Sequence, residues 1–591
     1  MASNTPDLSS FLNPSLCANT EQTINGEITP CQNEARFTCT NCRLVQYCCK
    51  ECQIADWKPH KGVCKSKYLE EPYAPGWMTE KRIPTFMSGP DLAPFGSLQY
   101  FWGNSPALDL LKVKGNEGEE AIMQKDVALL FAASGDLRNV IKTIVGLPES
   151  YTGNCTVVVN DLNTAIVARN AMLVLTALHF EPEVAAPIML HLWYSAMLPQ
   201  AILQALQDGI LPYIHDVCNK IKDKPSDSMQ AKTFEIGGNS VRLMLKKREW
   251  AGLATMFKVP EGLSAPEAQS IRRSVTMTRV DYIDRRMCQM SPGRRAGAID
   301  FRRHGVLLPF GASRKDFAMP NPTFFNEKAS WPMKDDADPL DGWSYDEYIK
   351  CVPAAKNDVY GAFFFYLRDM LLAFCKRVHS YKMAFQLLAV DAVTLPVYLK
   401  DVKFDRIEVS NICDRGYVGP AATLAICSSM LKTKSENPKA TLLMLFLNAV
   451  REEERESKDR LNPTAMAHRG RQIKSYLDIK QPIIDAATGR AGMSAMQYMT
   501  SPDFILVADS LNLFGDFDAS FKRFLKNADP RKGTSMYDLA RQHGMRIKSK
   551  HTIIEPWPYR LTEETTKEEF KVLLSESTCG HERYMEIEKA W

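Results

Sequence analysis

The sequence predicts two unlike parts: a small metal-built module at the start, and a large α/β domain divided by a long, mostly helical insertion. Three observations carry this reading. Eight of the 16 cysteines fall within the first 64 residues. Short β-branched runs alternate with helix-period stretches in two separate regions. Between those regions, about residues 180–380, long apolar stretches keep helical spacing.

A chain of 591 residues is too long for one ordinary core. Its formal charge is 73 − 69 = +4, which favours neither nucleic acid nor an acidic partner. The start, MASNTPDLSSFLNPSL, lacks the basic head and apolar stretch of a signal peptide. No apolar run approaches the roughly 18 residues of a membrane span. The expected compartment is therefore the reducing cytoplasm or nucleus, where clustered cysteines mean metal more often than disulfides.

Taken in order, residues 1–16 are polar and read as a disordered N-terminus. Residues 17–64 hold the cysteine cluster. Residues 65–95 are rich in proline and glycine and read as a linker with few contacts. Residues 96–591 read as the α/β domain. In it, DVALLFA and CTVVVND are strand candidates, each followed by a helix. AFQLLAV, FDRIEVS and KATLLMLF are further strands, and HTIIEPW reads as a strand near the end. APIMLHLWYSAMLPQAILQALQDGIL and DVYGAFFFYLRDMLLAFCKRV read as long helices inside the insertion, and 306–345 as loops.

Within 17–64 the metal-capable residues are Cys17, Cys31, Cys39-x2-Cys42, Cys48-x3-Cys52 and His60-x3-Cys64. Zinc takes four soft or borderline ligands in a tetrahedron, and a close pair delivers two from one turn. Four pairs make two complete sites. With all positions filled by protein, both zincs would be structural, and metal binding would supply most of the segment's folding free energy. Cys49 reads as a bystander and Trp57 as part of a mini-core.

The spacing and the tail Tyr47-Cys48-x3-Cys52-Gln53-x3-Trp57-x2-His60-x3-Cys64 resemble the MYND-type zinc finger family. The resemblance implies interleaved sites: Cys17, Cys31, Cys48 and Cys52 on one ion, and Cys39, Cys42, His60 and Cys64 on the other. The gap between Cys17 and Cys31 is longer than the family's usual one. The family docks proline-containing segments of partner proteins, so a protein partner is expected, and neither nucleic acid nor a membrane.

The alternating regions resemble the Rossmann-like sheet of class I S-adenosylmethionine-dependent methyltransferases. In that fold a glycine-rich loop follows the first strand, and an acid ends the second. The matching positions are Ser134, Gly135 and Asp136, then Asp161, with Asp391 after the third strand. The resemblance implies that these five hold S-adenosylmethionine. The usual three-glycine loop is here a single glycine. Helix-cap and loop-end readings stand beside the cofactor reading for Asp136 and Asp161, and Arg138 could fill the space by pairing with an aspartate. WGNSPALDLL, GDLRNV and NDLN are similar to an uncharacterised domain that accompanies MYND fingers and is shared with dynein axonemal assembly factors. That implies a docking, scaffold or assembly role. The alternative is a methyltransferase whose finger recruits the substrate.

Finally, nine arginines crowd residues 272–303. With Asp281, Asp284 and Asp300 between them, they read as a salt-bridged helical surface rather than a nucleic-acid patch.

Overall fold

The computed structural model describes residues 7–24, 27–88, 95–97, 99–326, 330–456, 463–515, 517–576, 578 and 580–591. Its centre is a nine-stranded sheet. In chain order the strands are β1 (Val127–Phe131), β2 (Asn154–Asn160), β3 (Met229–Ile236), β4 (Asn239–Lys246), β5 (Lys382–Leu388), β6 (Arg406–Glu408), β7 (Thr441–Phe446), β8 (Met545–Ile547) and β9 (Arg583–Lys589). Across the sheet they run β8-β9-β7-β6-β1-β2-β5-β4-β3. Strands β7, β6, β1, β2, β5 and β4 are mutually parallel. The hairpin strand β3 and the strand β9 run against their neighbours.

The sheet separates two apolar cores, which explains why its central strands read as unbroken apolar runs. Leu129 and Phe131 of β1 and Val157 and Val159 of β2 face one core. The helices Arg138–Val145, Thr164–His179, Pro182–Tyr194 and Val359–Ser380 close it. Leu130 of β1 and Val158 of β2 face the other, which Pro420–Ser428, Asp518–Lys526 and Met536–Gln542 close. Each fully buried Leu or Val side chain contributes about 1.5–3 kcal/mol.

Several expectations need correction. Residues 1–6 of the segment expected to be disordered lie outside the described residues, but the part that follows is anchored: Leu8 and Leu12 are buried in the first core. Phe11 meets His191 and Phe317 edge to face. The spacing of Leu8, Phe11 and Leu12 is that of one helix face, and Ser9–Leu12 is a helical turn.

Residues 65–88 are not a contact-poor linker. Tyr73 and Trp77 are buried, and Trp77 Nε1 donates to the Thr500 carbonyl at 2.8 Å. The Gly76 amide and the Tyr73 hydroxyl both donate to Asp284, at 2.7 and 2.8 Å. Arg82 makes a fork to both oxygens of Asp281. The aromatic residues among the prolines are what hold the segment down; residues 89–94 lie outside the described set.

The helical insertion contains the β3–β4 hairpin, which extends the sheet beyond β5. Its signal is Gly237-Gly238 between β-prone runs. Both glycines have positive φ, 58° and 83°, as a tight two-residue turn requires. The long apolar stretch 186–211 is interrupted by Met197–Leu198, a short strand paired with Met319–Pro320. HTIIEPW forms no strand. The amides of Thr552, Ile553 and Ile554 instead donate to the buried carboxylate of Glu586 on β9.

The arginines of 272–303 are paired in part, and only some of them lie on the surface: Arg273 and Arg303 are exposed. Arg272, Arg294 and Arg295 are buried. Arg295 donates to the carbonyls of Tyr68 and Glu70, which pins the segment after the finger.

Candidate metal centre and the strand-end crevice

The finger is built from two short hairpins and two helices. Gln22–Ile24 pairs with Glu27–Thr29, and Phe37–Thr38 with Gln46–Tyr47. The helices are Lys50–Ala55 and Trp57–Cys64. The first hairpin accounts for the long gap between Cys17 and Cys31. It turns the chain back so that the Cys31 amide donates to the Asn19 carbonyl at 3.0 Å. Cys17 is bridged to Gln46 on the second hairpin.

Two four-residue cages result, Cys17/Cys31/Cys48/Cys52 and Cys39/Cys42/His60/Cys64, with the ligand atoms of each within 4.8 Å of one another. In the first, Sγ of Cys31 lies 3.7 Å from Cys48 and 3.9 Å from Cys52, and Cys48 lies 3.4 Å from Cys52. In the second, Cys39 and Cys64 are 3.8 Å apart, and His60 Nε2 lies 3.4 Å from Cys39 and 3.7 Å from Cys42. A tetrahedron with Zn–S bonds of ~2.3 Å has edges of ~3.8 Å, slightly less where nitrogen replaces sulfur. The cages have that size.

The surroundings also suit a cation. Asn19 and Asn41 donate side-chain N–H groups to the sulfurs of Cys52 and Cys64, at 3.4 and 3.1 Å, and the Leu44 amide to Cys42 at 3.5 Å. Burial lowers the His60 pKa, which keeps the ring in its neutral, ligating form. Burial pushes the Cys42 thiol up to about 12, whereas burial of Cys39 in the same cage is outweighed by the hydrogen bonds it accepts, and its thiol is lowered; a cation in the cage would favour the thiolate of both. Both groups fit structural zinc, with no coordination position left for a reactive water. Cys49 stands outside the cages, its sulfur 3.7 Å from that of Cys48. Trp57 is not a mini-core residue: it is 44% exposed, with its ring and that of His60 meeting edge to face.

The finger is seated on the large domain. Asn357, just before helix Val359–Ser380, donates its side-chain N–H to the Cys42 carbonyl at 2.8 Å and its amide to the Arg43 carbonyl at 2.9 Å. Ala296 packs into the finger's cysteine cluster. Gly311 lies so close to Ala18 and Val45 that a Cβ there would stand 3.1 Å from each.

At the carboxyl ends of the parallel strands, the structure brings the first two predicted loops together. The Gly135 amide donates to Asp161 Oδ2 at 2.9 Å, and the Asn163 amide to Oδ1 at 2.8 Å. The Ser134 amide donates to the Asn160 carbonyl. Asp391 follows the third strand end; it is exposed, makes no bond to the first two loops among the described residues, and caps its own turn through the Val393 amide. Asp136 accepts the Gly103 amide at 2.7 Å and pairs with Arg138 at 2.6 Å. Arg138 in turn donates to the carbonyl and hydroxyl of Ser105.

These residues do not fit S-adenosylmethionine. The Asp161 carboxylate, expected at a ribose, is engaged by two backbone amides. The Asp136–Arg138 pair is buried under residues 103–105, so the chain's own WGNS stretch occupies the place beside the loop. Gly135 has a φ of 56° and open space where a Cβ would stand, and that alone makes no cradle.

Two residues that sequence reading missed organise this region. Asn160, buried at the end of β2, donates to the carbonyls of Ala132 and Val390 and accepts the Val390 amide, tying three strand ends together. Glu408, at the end of β6, is buried near Arg138, and burial pushes its carboxyl up to about 7. A polar residue ending an apolar run is the only signal for either.

The cages and their helices define a double-zinc finger protein. In comparison with protein families, residues 29–64 match the family described as MYND finger, and residues 101–198 match a Domain of unknown function (DUF4470). Cys17 lies upstream of the first match. The second covers β1, β2 and the helices that follow them. No curated protein and no solved structure matches the chain. Among the described residues, no helix is long and apolar enough to cross a membrane.

Proposed function

We propose that the chain docks a proline-containing segment of a partner protein on its zinc finger, with the α/β domain as a rigid scaffold in the cytoplasm or nucleus. The observation that carries this is exposed apolar surface on the finger's two helices, with Trp57 beside the second cage. Ile54 is 65% exposed and Trp57 44%. Both stay exposed although other parts of the finger are seated on the large domain. A Trp in edge-to-face contact with a metal-held imidazole is an aromatic plate with a fixed neighbour. Such plates take proline rings well, because an extended proline-rich segment loses little entropy on binding. The closed cages support a binding role rather than metal catalysis.

Zinc-loaded protein probed with an array of proline-containing peptides tests this. We expect micromolar binders whose affinity drops at least tenfold in Trp57→Ala with two zincs per chain retained. Binding that survives Trp57→Ala unchanged refutes the assignment of this surface.

One observation favours a second reading, methyl transfer or a scaffold derived from that fold. The parallel strands β5-β2-β1-β6-β7 stand in the 3-2-1-4-5 order of doubly wound nucleotide-binding sheets, if the β3–β4 hairpin is set aside. The filled strand-end loops weigh against an active enzyme. Calorimetric titration with S-adenosylmethionine separates the two, since saturable heat would restore the catalytic reading.

A further inference from the structure

The two edges of the nine-stranded sheet are unlike. Strand β8 closes one edge with three residues, whereas β3 closes the other with eight. Sheet edges are kept from pairing by short strands, prolines, bulges or inward charges. β3 holds no proline, and its register with β4 runs unbroken from Met229↔Lys246 to Ile236↔Asn239.

Backbone bonding alternates along an antiparallel ladder. The Lys247 amide donates to the Ser228 carbonyl just before β3, so the even-numbered residues of β3 turn their backbone groups to β4. Ala231, Thr233 and Glu235 turn theirs outward. Among the described residues, no hydrogen bond from another segment reaches these outward amides and carbonyls. Such a row of free donors and acceptors fits an extended strand.

Two charges beside that row say which strand. Arg242 of β4 stands opposite Thr233. Its guanidinium lies 3.5 Å from the Thr233 hydroxyl, so the side chain reaches over β3 toward the open edge. Arg242 is exposed and pairs with no carboxylate among the described residues. Glu235, two residues along β3 and therefore on the same face, is exposed and equally without a cationic partner among them. One face of the hairpin thus carries an acid and a base that do not meet each other.

A two-fold axis at Phe234 would satisfy both. Antiparallel pairing of two β3 strands about it sets each Glu235 opposite Thr233 of the second copy, in line with that copy's Arg242. The two charged residues are then two strand spacings apart, about 10 Å at the backbone, a gap that an Arg and a Glu side chain close together. The same register lets the outward amides and carbonyls of Thr233 and Glu235 bond reciprocally between copies.

We propose that the chain self-associates through β3, in a two-fold antiparallel pairing centred on Phe234 that joins two sheets and closes two Arg242–Glu235 ion pairs between copies. A second copy is the occupant because one face of the hairpin supplies both halves of the charge match. An edge contact of this length is small for an interface, so a dimer of micromolar affinity is expected.

Sedimentation equilibrium of the full, zinc-loaded chain, from micromolar to submillimolar concentration, tests this. The wild type is expected to show a monomer–dimer equilibrium. Thr233→Pro removes an outward amide, which an edge strand tolerates, and should weaken association at least tenfold. Glu235→Arg and Arg242→Glu should each weaken it at least tenfold at low salt. The double variant E235R/R242E should restore it, because the exchanged charges meet again across the axis. A wild type that stays monomeric overturns the proposal and leaves the edge to an extended segment of another protein. A dimer unchanged by these substitutions, or one that the double variant fails to restore, overturns it equally. Should T233P not fold, the exposed charge reversals carry the test.

Discussion

The finger and the sheet domain reach order by opposite routes. The finger's apolar cluster consists largely of its own cysteines, with Leu44, Val45 and Tyr47. Its shape therefore depends on eight side chains meeting two ions, and losing one ligand undoes a whole cage. The sheet domain distributes its stability over two cores on either side of nine strands, so that few single residues decide it. The lesson lies at the seam. Asn357, Ala296 and Gly311 fasten the metal-ordered part to the area-ordered part, so the two routes are not independent.

The sharpest way to break that comparison is to remove the metal. Structural zinc supplies an apparent ~10 kcal/mol or more to a finger of this kind. Cys42→Ser, or a strong chelator, should therefore unfold residues 17–64 outright. The sheet domain should stay folded but melt several degrees lower, because Ala296 and Gly311 lose their cover. Hydrogen exchange resolved by segment, with calorimetry, reads both. An unchanged domain Tm would mean that the seam carries no energy, and collapse of the whole chain would make the two parts one cooperative unit.

A second, smaller effect separates the parts by pH. Burial raises Asp358, Glu408 and Glu576 to about 7 and Asp414 to about 6. Unfolded, these carboxyls titrate near 4. A raised carboxyl stabilises the fold fully below its unfolded pKa, and that contribution is lost as pH rises through the folded value, by at most ~1.4 kcal/mol per unit per group. The lowered carboxyls Asp281 and Glu586 are ionised in both states above pH 5 and add no slope there. Buried His191, lowered by burial to about 3, adds stability as pH rises toward its unfolded value near 6.5, an opposing effect smaller than that of the four carboxyls. The sheet domain should therefore lose stability from pH 5 to 8. The finger should gain over the same range, since protons compete with zinc for its thiolates. Calorimetric scans across that range should show the two transitions moving in opposite directions; parallel movement would show that one physics governs both.

The same contrast explains what is legible in the sequence. Metal ligands are local and chemically distinctive, so Cys39, Cys42, His60 and Cys64 can be grouped from their spacing and the family likeness alone. Strands β1, β2, β5 and β7 are legible because burial on both faces leaves unbroken apolar runs. What stays hidden depends on contacts distant in the chain. Asp161 looks like a ligand residue because nothing local shows that the Gly135 and Asn163 amides engage it. Leu8 and Leu12 look free because their partners on helix Pro182–Tyr194 lie far along the chain. Trp57 reads as internal because an aromatic residue in so small a module suggests a core, whereas the cysteines already fill it.

The smallest effect is the most pointed, because it asks whether the sheet domain helps to hold the metal. Asn357 lies more than 300 residues from Cys42 and ligates nothing, yet its side chain donates to the Cys42 carbonyl at 2.8 Å. Removing a neutral hydrogen bond of this sort costs about 1 kcal/mol. Asn357→Ala leaves its own backbone bond to Arg43 in place, so the finger should remain seated but looser at one cage. The expected result is a severalfold faster loss of one of the two zincs to a chromophoric chelator, with the other unaffected. Gly62→Ala is a suitable control, since a Cβ there meets nothing within 4 Å, and its zinc release should match the wild type. A faster release confined to N357A can reach the cage only through the seam. Equal release from all three proteins would leave the finger self-sufficient, and its seat on the sheet domain would then be a matter of placement alone.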